Sequence, residues 1–161
     1  MRSEAETNLA LSRYADMVRR ICFVHLRNHT EVEDVFQDVF LKYVLSDKQF
    51  ESEEHEKAWI IRVATNACKD LLKSFTRKNV GSLEEWLDMA APINDDDLGV
   101  LEAITRLPTK YRTVIYLFYY EEYTAVEIAA ILRRGNNTIY TWLDRARKQL
   151  RIQLGGDTLE R

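Results

Sequence analysis

At 161 residues, 46% of them hydrophobic and 30% charged, the chain has the composition of one soluble globular domain or two small ones, and its formal net charge of −3 gives no bulk attraction to a polyanion. Five glycines and two prolines are few, and no run of alternating β-branched residues stands out, so the expected fold class is all-α. No apolar run approaches the roughly 20 residues that span a bilayer, and the polar start Met1-Arg2-Ser3-Glu4-Ala5-Glu6 lacks the apolar stretch of a secretory signal, so no membrane insertion and a cytoplasmic location are expected.

In chain order, Tyr14, Met17, Val18, Ile21 and His25 mark a first amphipathic helix. Thr30 and Glu33 have capping-box spacing and should open a second, with Val32, Val35, Phe36, Val39, Phe40 and Tyr43 on its core side. A polar loop follows from Ser46 to Glu54. A third helix is expected from about His55 to Lys78, with Ile60, Val63, Ala67 and Leu71 facing the core. Cys22 and Cys68 fall in apolar helical stretches and read as buried, reduced thiols. Cys22 and His25 lie one turn apart, but no further ligand pair at structural-zinc spacing accompanies them, so no metal is expected.

Asn79 to Asp97 reads as a linker. It holds Gly81, Pro92 and the run Asp95-Asp96-Asp97, with Ser82 and Glu85 spaced to cap a short helix carrying Leu83, Trp86 and Leu87. The expected organisation is thus two small helical domains, residues 1–78 and 98–161, joined by a flexible linker over 79–97. In the second half Pro108 suits a helix start, and Val114, Ile115, Leu117 and Phe118 form that helix's core. Thr124 and Glu127 have capping-box spacing before Ile128, Ala129, Ile131 and Leu132. Arg133 to Asn137 interrupt the pattern with Gly and Asn, which tolerate left-handed backbone. Ile139, Leu143, Ala146 and Leu150 then repeat at helical spacing, with Arg145, Arg147, Lys148 and Arg151 on other positions. Two short helices joined by a tight turn, the second cationic, is a common way to enter the DNA major groove; a surface helix with a solvated basic face is the plainer reading.

The net charge dissolves into blocks. Residues 31–60 hold nine acids and three bases, 61–80 five bases and one acid, 81–105 seven acids and no base, and 106–161 ten bases and six acids. A basic patch can hold phosphates locally while the whole molecule stays acidic.

Three blocks in this order resemble one family. Leu107-Pro108-x-x-Tyr111-Arg112-x-Val114, then Glu121-Glu122-Tyr123-Thr124-x-x-Glu127-Ile128-Ala129, then Thr138-Ile139 and Leu143-x-Arg145-Ala146-Arg147-Lys148-x-Leu150 resemble the C-terminal domain of bacterial RNA polymerase sigma factors of the short extracytoplasmic-function (ECF) type. Glu33-Asp34-Val35-Phe36-Gln37-Asp38-Val39-Phe40-Leu41 is similar to that family's polymerase-binding helix. Ala58-Trp59-Ile60-x-Arg62-x-Ala64-x-Asn66-x-x-x-Asp70-Leu71-Leu72 is similar to its promoter-melting helix. The resemblance covers about residues 9–78 and 98–154.

It implies an alternative sigma factor acting by recruitment, not catalysis, with no cofactor. Asp34, Gln37, Asp38 and Leu41 would dock on core RNA polymerase. Trp59, Arg62, Asn66, Lys69, Lys73 and Arg77, with the preceding loop, would open the duplex at the −10 element and capture an unstacked base. Trp59 keeps a second reading, as a core residue, and Asp70 is expected to pair with a base such as Arg62 or Lys73. Arg133, Arg134, Thr138, Tyr140, Thr141, Arg145, Arg147 and Lys148 would meet the −35 element. An anti-sigma partner is also implied.

The last helix departs from the family. Arg133-Arg134 stands where many relatives have Gly and an apolar residue, aromatics occupy positions 140 and 142 where Lys or Arg is usual, and Asp144 brings a negative charge. Three explanations compete: readout by thymine-methyl contacts and the hydroxyls of Thr141 and Tyr140, weak −35 binding with reliance on −10, or a Trp142 that faces a protein. Rival classes are a hydrolase with Glu33, Asp34 and Asp38 as metal ligands, which lacks a histidine partner, and a helix-turn-helix regulator that never touches polymerase. A degenerate sigma-like protein that does not itself direct initiation is a third.

Overall fold

The computed structural model describes residues 1–26, 28–74 and 95–155. Seven helices and no strand occur among them: α1 (Glu4–His25), α2 (His29–Leu45), α3 (Glu53–Ser74), α4 (Asp95–Thr105), α5 (Thr109–Tyr119), α6 (Ala125–Leu132) and α7 (Asn136–Leu154). They sort into two compact units that divide between Pro92 and Ile93. The expected short helix at Ser82–Glu85, and Arg77 and Lys78, lie outside the described residues.

In the first unit α1, α2 and α3 pack pairwise on one another. Ser3 caps α1, its hydroxyl accepting from the Glu6 N–H at 3.1 Å. Tyr14, Met17, Val18, Ile21 and His25 are buried as expected, and every residue from Ile21 to Leu26 is buried, so α1 ends inside the core. The start of α2 differs from the Thr30–Glu33 expectation. Asn28 is the N-cap, its side chain accepting from the Glu31 N–H at 3.1 Å. Asn caps better than Thr, and the Glu33 carboxylate is taken by Arg19 of α1.

Helix α3 starts two residues earlier than expected. The Ser52 hydroxyl accepts from the His55 N–H at 3.1 Å, and Glu53, Glu54 and Glu56 place negative charge at the positive end of the helix dipole. Its core side is also rotated from the expected one. Ile60, Ile61, Ala64, Thr65 and Cys68 are buried, whereas Val63, Ala67 and Leu71 are only half-buried. Both cysteines are fully buried.

One carboxylate ties the three helices together. Glu56 of α3 accepts from the Tyr14 hydroxyl of α1 at 3.0 Å and from the Tyr43 hydroxyl of α2 at 2.7 Å. Burial first, and then the Glu56 carboxylate, push Tyr43 up to about 12, and the same causes in the same order raise Tyr14. A folded-state pKa above the unfolded one stabilises the fold fully below pH ~10, and the contribution is lost as pH rises through the folded value. In an ultraviolet phenolate titration of the folded chain, at least two of the eight tyrosines should therefore stay protonated until pH nears 12 and ionise together with loss of helical signal. Eight tyrosines titrating together near pH 10 would contradict this packing.

In the second unit α5 and α6 pack on α7, and α4 packs on α5 and α7. The Asp95-Asp96-Asp97 run is not linker but the first turn of α4. Pro108 precedes α5, and its carbonyl accepts from the Tyr111 N–H at 2.9 Å. Val114, Ile115 and Leu117 are buried; Phe118 is only half-buried. Thr124 and Glu127 form the expected capping box: the Glu127 N–H donates to the Thr124 hydroxyl at 3.2 Å, and the Thr124 N–H to the Glu127 carboxylate at 2.9 Å. That backbone bond holds Glu127 below the usual carboxylate range.

The turn between α6 and α7 differs from the expectation that Gly or Asn supplies its left-handed residue. Arg133 does so, at φ 56° and ψ 49°, whereas Gly135 has φ −68° and is the N-cap of α7. The Arg134 N–H donates to the Ala129 carbonyl at 3.0 Å, closing a Schellman motif. A non-glycine residue there costs roughly 1–2 kcal/mol. Arg133→Gly should therefore stabilise this unit by about 1 kcal/mol after the greater freedom of glycine in the unfolded chain is subtracted. Thermal unfolding should show a Tm higher by roughly 4–8 °C; an unchanged or lower Tm would argue against a strained Arg133.

Candidate functional site

The first unit carries two polar stripes on different helices. On α2, Asp34, Gln37 and Leu41 are exposed and Asp38 is half-buried. Asp38 holds Lys42 at 2.9 Å. Leu41 is 56% and Leu45 59% exposed, so spacing 34, 38, 41, 45 makes one stripe of two acids followed by two bare leucines. Leu45 was missed from the sequence, although it repeats Leu41 one turn on. Between α2 and α3 lies a groove lined by Glu31, Asp34, Asp38 and Asp70 around an apolar floor of Val35, Ala67 and Leu71. Asp70 thus joins the acids of α2 across this groove, a position its expected local pairing with a base did not anticipate. Ala67 and Leu71 are half-buried because they floor the groove.

On α3, Arg62, Asn66, Lys69 and Lys73 follow at i, i+4, i+7 and i+11 and share one side of the helix. Asn66 and Lys73 are exposed; Arg62 and Lys69 are half-buried. Trp59 begins this row but is turned onto other rings. Its indole meets Phe50 edge-on at 5.7 Å and Tyr43 at 6.3 Å. Phe50 in turn meets His55 edge-on at 5.4 Å. The α2–α3 loop, residues 46–52, is thus built over an aromatic cluster.

Arg2 fastens that loop. Its guanidinium lies 4.4 Å over the Tyr43 ring and 5.0 Å over Phe50. Its Nε donates to the Tyr43 carbonyl at 3.0 Å, and Nη2 donates to the Lys48 carbonyl. The Arg2 backbone N–H donates to the Val44 carbonyl at 2.8 Å. The guanidinium thus places a cation at the C-terminal end of α2, where the helix dipole favours one, and ties that end to the loop. No local pattern reveals this, since the partners are more than 40 residues away.

In the second unit α7 buries Ile139, Leu143, Ala146 and Leu150. The opposite side presents Asn137, Thr141, Asp144, Arg145 and Lys148, all exposed. Asp144 meets Lys148 at 3.1 Å in an exposed i,i+4 pair. Tyr140, 52% exposed, and Arg147 lie on one flank; Thr138, Trp142 and Arg145 follow one another on the other. Arg147 is not free in solvent. Its guanidinium lies 4.4 Å over Phe118, in a groove also lined by Tyr123, Tyr140 and Leu143. Phe118 is thus a support for Arg147 at the groove edge, not a buried core residue. Arg133 and Arg134 are exposed in the turn.

Residues 10–78 match the family profile described as Sigma-70 region 2, and residues 98–150 match that of Sigma-70, region 4. The ECF sigma factor SigW of Bacillus subtilis is 31% identical over 160 residues, which cover 88% of this chain and 84% of the relative. This chain belongs to the ECF sigma factors. SigV of the same organism, an RNA polymerase sigma factor, is 30% identical over 142 residues, covering 87% and 86% of the two chains. Two solved structures share the fold: CnrH in complex with the cytosolic domain of CnrY (TM-score 0.71, 23% identity, 97% of this chain and 92% of that one) and RpoE in complex with the anti-sigma factor NepR from Bartonella quintana (TM-score 0.74, 20% identity, 95% and 99%).

The sigma factor is therefore an alternative initiation factor that binds core RNA polymerase and directs promoter-specific transcription. Its first unit carries region 2 and its second region 4. None of its described helices is long and apolar enough to cross a membrane.

Proposed function

We propose a division of labour for this sigma factor. Residues 1–78 act as the polymerase-binding and −10 domain, the segment from 79 up to α4 as the tether, and α4 onward to 161 as the −35 domain. Asp34, Gln37, Asp38 and Leu41, extended by Leu45, dock on a basic helical element of core polymerase. The observation that carries this reading is the stripe on α2, where two acids are followed by two leucines more than half exposed. Exposed leucines in line with carboxylates suit a cationic amphipathic partner.

Arg62, Asn66, Lys69, Lys73 and Arg77 follow the opened −10 strand, with cations on the backbone and Asn66 within reach of a base edge. Trp59 supports the 46–52 loop from beneath through Phe50, and that loop receives the unstacked base. At −35, Thr138, Tyr140 and Thr141 read the major groove by hydroxyl and apolar contacts. Arg133, Arg134, Arg145 and Lys148 hold phosphates, and Arg147 does so from the groove edge over Phe118. Strand opening is driven by binding energy, because captured bases gain stacking and pockets. Two domains on one tether raise each other's effective concentration on the promoter. The chain acts in the cytoplasm, performs no catalysis itself and needs no metal or cofactor. An anti-sigma protein restrains it, a reading supported by the complexes in which CnrH and RpoE were solved.

Run-off transcription with purified core polymerase and fragmented genomic DNA of the source organism tests this. New start sites that share upstream and downstream elements are expected only when the chain is added. Co-purification with core but no new transcript would favour a degenerate sigma-like role, and no binding to core would refute the docking assignment.

A further inference from the structure

Trp142 is the least expected residue on the recognition helix, and its surroundings point to a function. It is half-buried on the flank of α7 that also carries Thr138 and Arg145. Two cations from two other elements converge on its ring. Lys110, the second residue of α5, brings its Nζ to 5.9 Å from the indole centroid and 5.3 Å from the Tyr111 ring. Arg134, in the α6–α7 turn, brings its guanidinium carbon to 5.6 Å. Both cations are exposed, and among the described residues neither has a carboxylate partner.

On α7 itself Lys148 is paired with the Asp144 carboxylate at 3.1 Å, whereas Arg147 lies over the Phe118 ring at 4.4 Å. The choice of an aromatic to hold Lys110 and Arg134 matters chemically. A carboxylate would fix them but neutralise them, whereas a π face fixes a cation and leaves its charge intact. The two positive charges come from α5 and from the α6–α7 turn, and each lies within 6 Å of the same ring. A helix lying in the major groove is flanked by phosphodiester backbones, and the elements beside it supply the backbone contacts.

We propose that Lys110 and Arg134, oriented by Trp142, form a clamp for the DNA phosphodiester backbone beside the −35 recognition helix. Lys110 is the added DNA-binding residue. Trp142 is a positioning residue that reads no base and faces no protein. The inference rests on the reading of region 4 as a duplex-binding domain and adds to it a definite backbone track along one flank. It also accounts for an aromatic at position 142: the charge is supplied by its neighbours.

The test is the salt dependence of duplex binding by the holoenzyme, reconstituted from core polymerase and the full chain, on a pool of short random-sequence duplexes, with core polymerase alone as baseline. Each phosphate contact contributes about 0.9 to the slope of log K against log salt. Lys110→Ala/Arg134→Ala should make the slope shallower by about 2. Trp142→Ala should also make it shallower, although it removes no charge, and Trp142→Phe should restore the wild-type slope. For Trp142→Ala, run-off transcription should show the same choice of start sites at reduced yield, since no base contact is lost.

An unchanged slope in the double variant overturns the clamp, and so does a Trp142→Ala line merely displaced in parallel. Altered start-site choice with an unchanged slope would make Trp142 a base reader instead. Arg145→Ala separates this inference from its premise. If it weakens duplex binding while the double variant leaves the slope alone, the clamp fails and region 4 duplex binding stands. If the wild-type holoenzyme binds no better than core alone, both fall. The double variant changes only exposed side chains, so it remains informative if Trp142→Ala does not fold.

Discussion

Glu56→Ala is expected to lower the stability of the region 2 unit by about 3 kcal/mol, the largest single effect foreseen for that domain. Tyr14 and Tyr43 are 5% and 2% exposed, and both donate their hydroxyls to this one carboxylate. A hydrogen bond to a charged acceptor contributes about 1.5–3 kcal/mol, and a buried donor left without an acceptor costs its desolvation besides. Relief comes from two sources. Tyr14 retains a weaker acceptor in the Glu53 carbonyl at 3.3 Å, and a partly buried charge is removed. Glu56→Gln keeps one carbonyl oxygen and should lose about half as much. Urea unfolding followed by circular dichroism measures both. A loss below about 1 kcal/mol for alanine, within the range of ordinary surface changes, would mean that the three helices do not depend on this junction. Tyr43 of this junction also stacks on Phe50 of the 46–52 loop at 6.4 Å, so the alanine variant should also open −10 DNA poorly before it fails to fold.

Asp34→Lys/Asp38→Lys should weaken binding to core polymerase at least 100-fold, with run-off transcription lost in proportion. Removing one member of a close interfacial charge pair typically costs 2–5 kcal/mol, and reversal adds repulsion. The fold should survive. Asp34 is exposed, and the Asp38–Lys42 pair is an i,i+4 surface contact worth about 0.3–0.5 kcal/mol. Leu41→Ser and Leu45→Ser should each weaken binding without raising its salt dependence, since they remove apolar contact and no charge. Full affinity in the double lysine variant would send the docking surface elsewhere on the domain.

Much of the architecture was legible because helices announce themselves locally. The apolar repeat 139, 143, 146, 150 in α7 needs only its own sequence to be found, and so does the Thr124–Glu127 capping box. Errors arose where a local signal competed with a distant partner or with a neighbouring position in the same turn. Thr30 and Glu33 have the spacing of a cap, yet Arg19 holds Glu33 and Asn28 caps α2 instead. Gly135 looks like the residue for left-handed backbone, yet the closure of α6 falls two residues earlier, on Arg133. In α3 the period was right and its phase was not, because a helix of that composition can turn Ala67 and Leu71 either into the core or toward a groove.

The candidate residues divide in the same way. Periodicity alone puts Arg62, Asn66, Lys69 and Lys73 on one side of α3, and Asp34, Asp38 and Leu41 on one side of α2. What each side chain is committed to depends on through-space neighbours. Trp59 is engaged by Phe50 and Tyr43, Arg147 by Phe118, and Asp144 by Lys148. Only the last pair, one helical turn apart, was within reach of sequence spacing.

By itself the sequence determined the helical class, the division into two units, the family and hence promoter-directed initiation, because these rest on helix periodicity and on motif order along the chain. The tertiary structure alone decided which charges remain available and which are held: Arg2 over Tyr43 and Phe50, Asp70 facing the acids of α2, and Lys110 beside Trp142. The reason is physical. Backbone hydrogen bonding and helical pitch act over three or four residues, whereas ion pairs, ring contacts and burial act over a few ångströms between residues that the fold brings together from different helices.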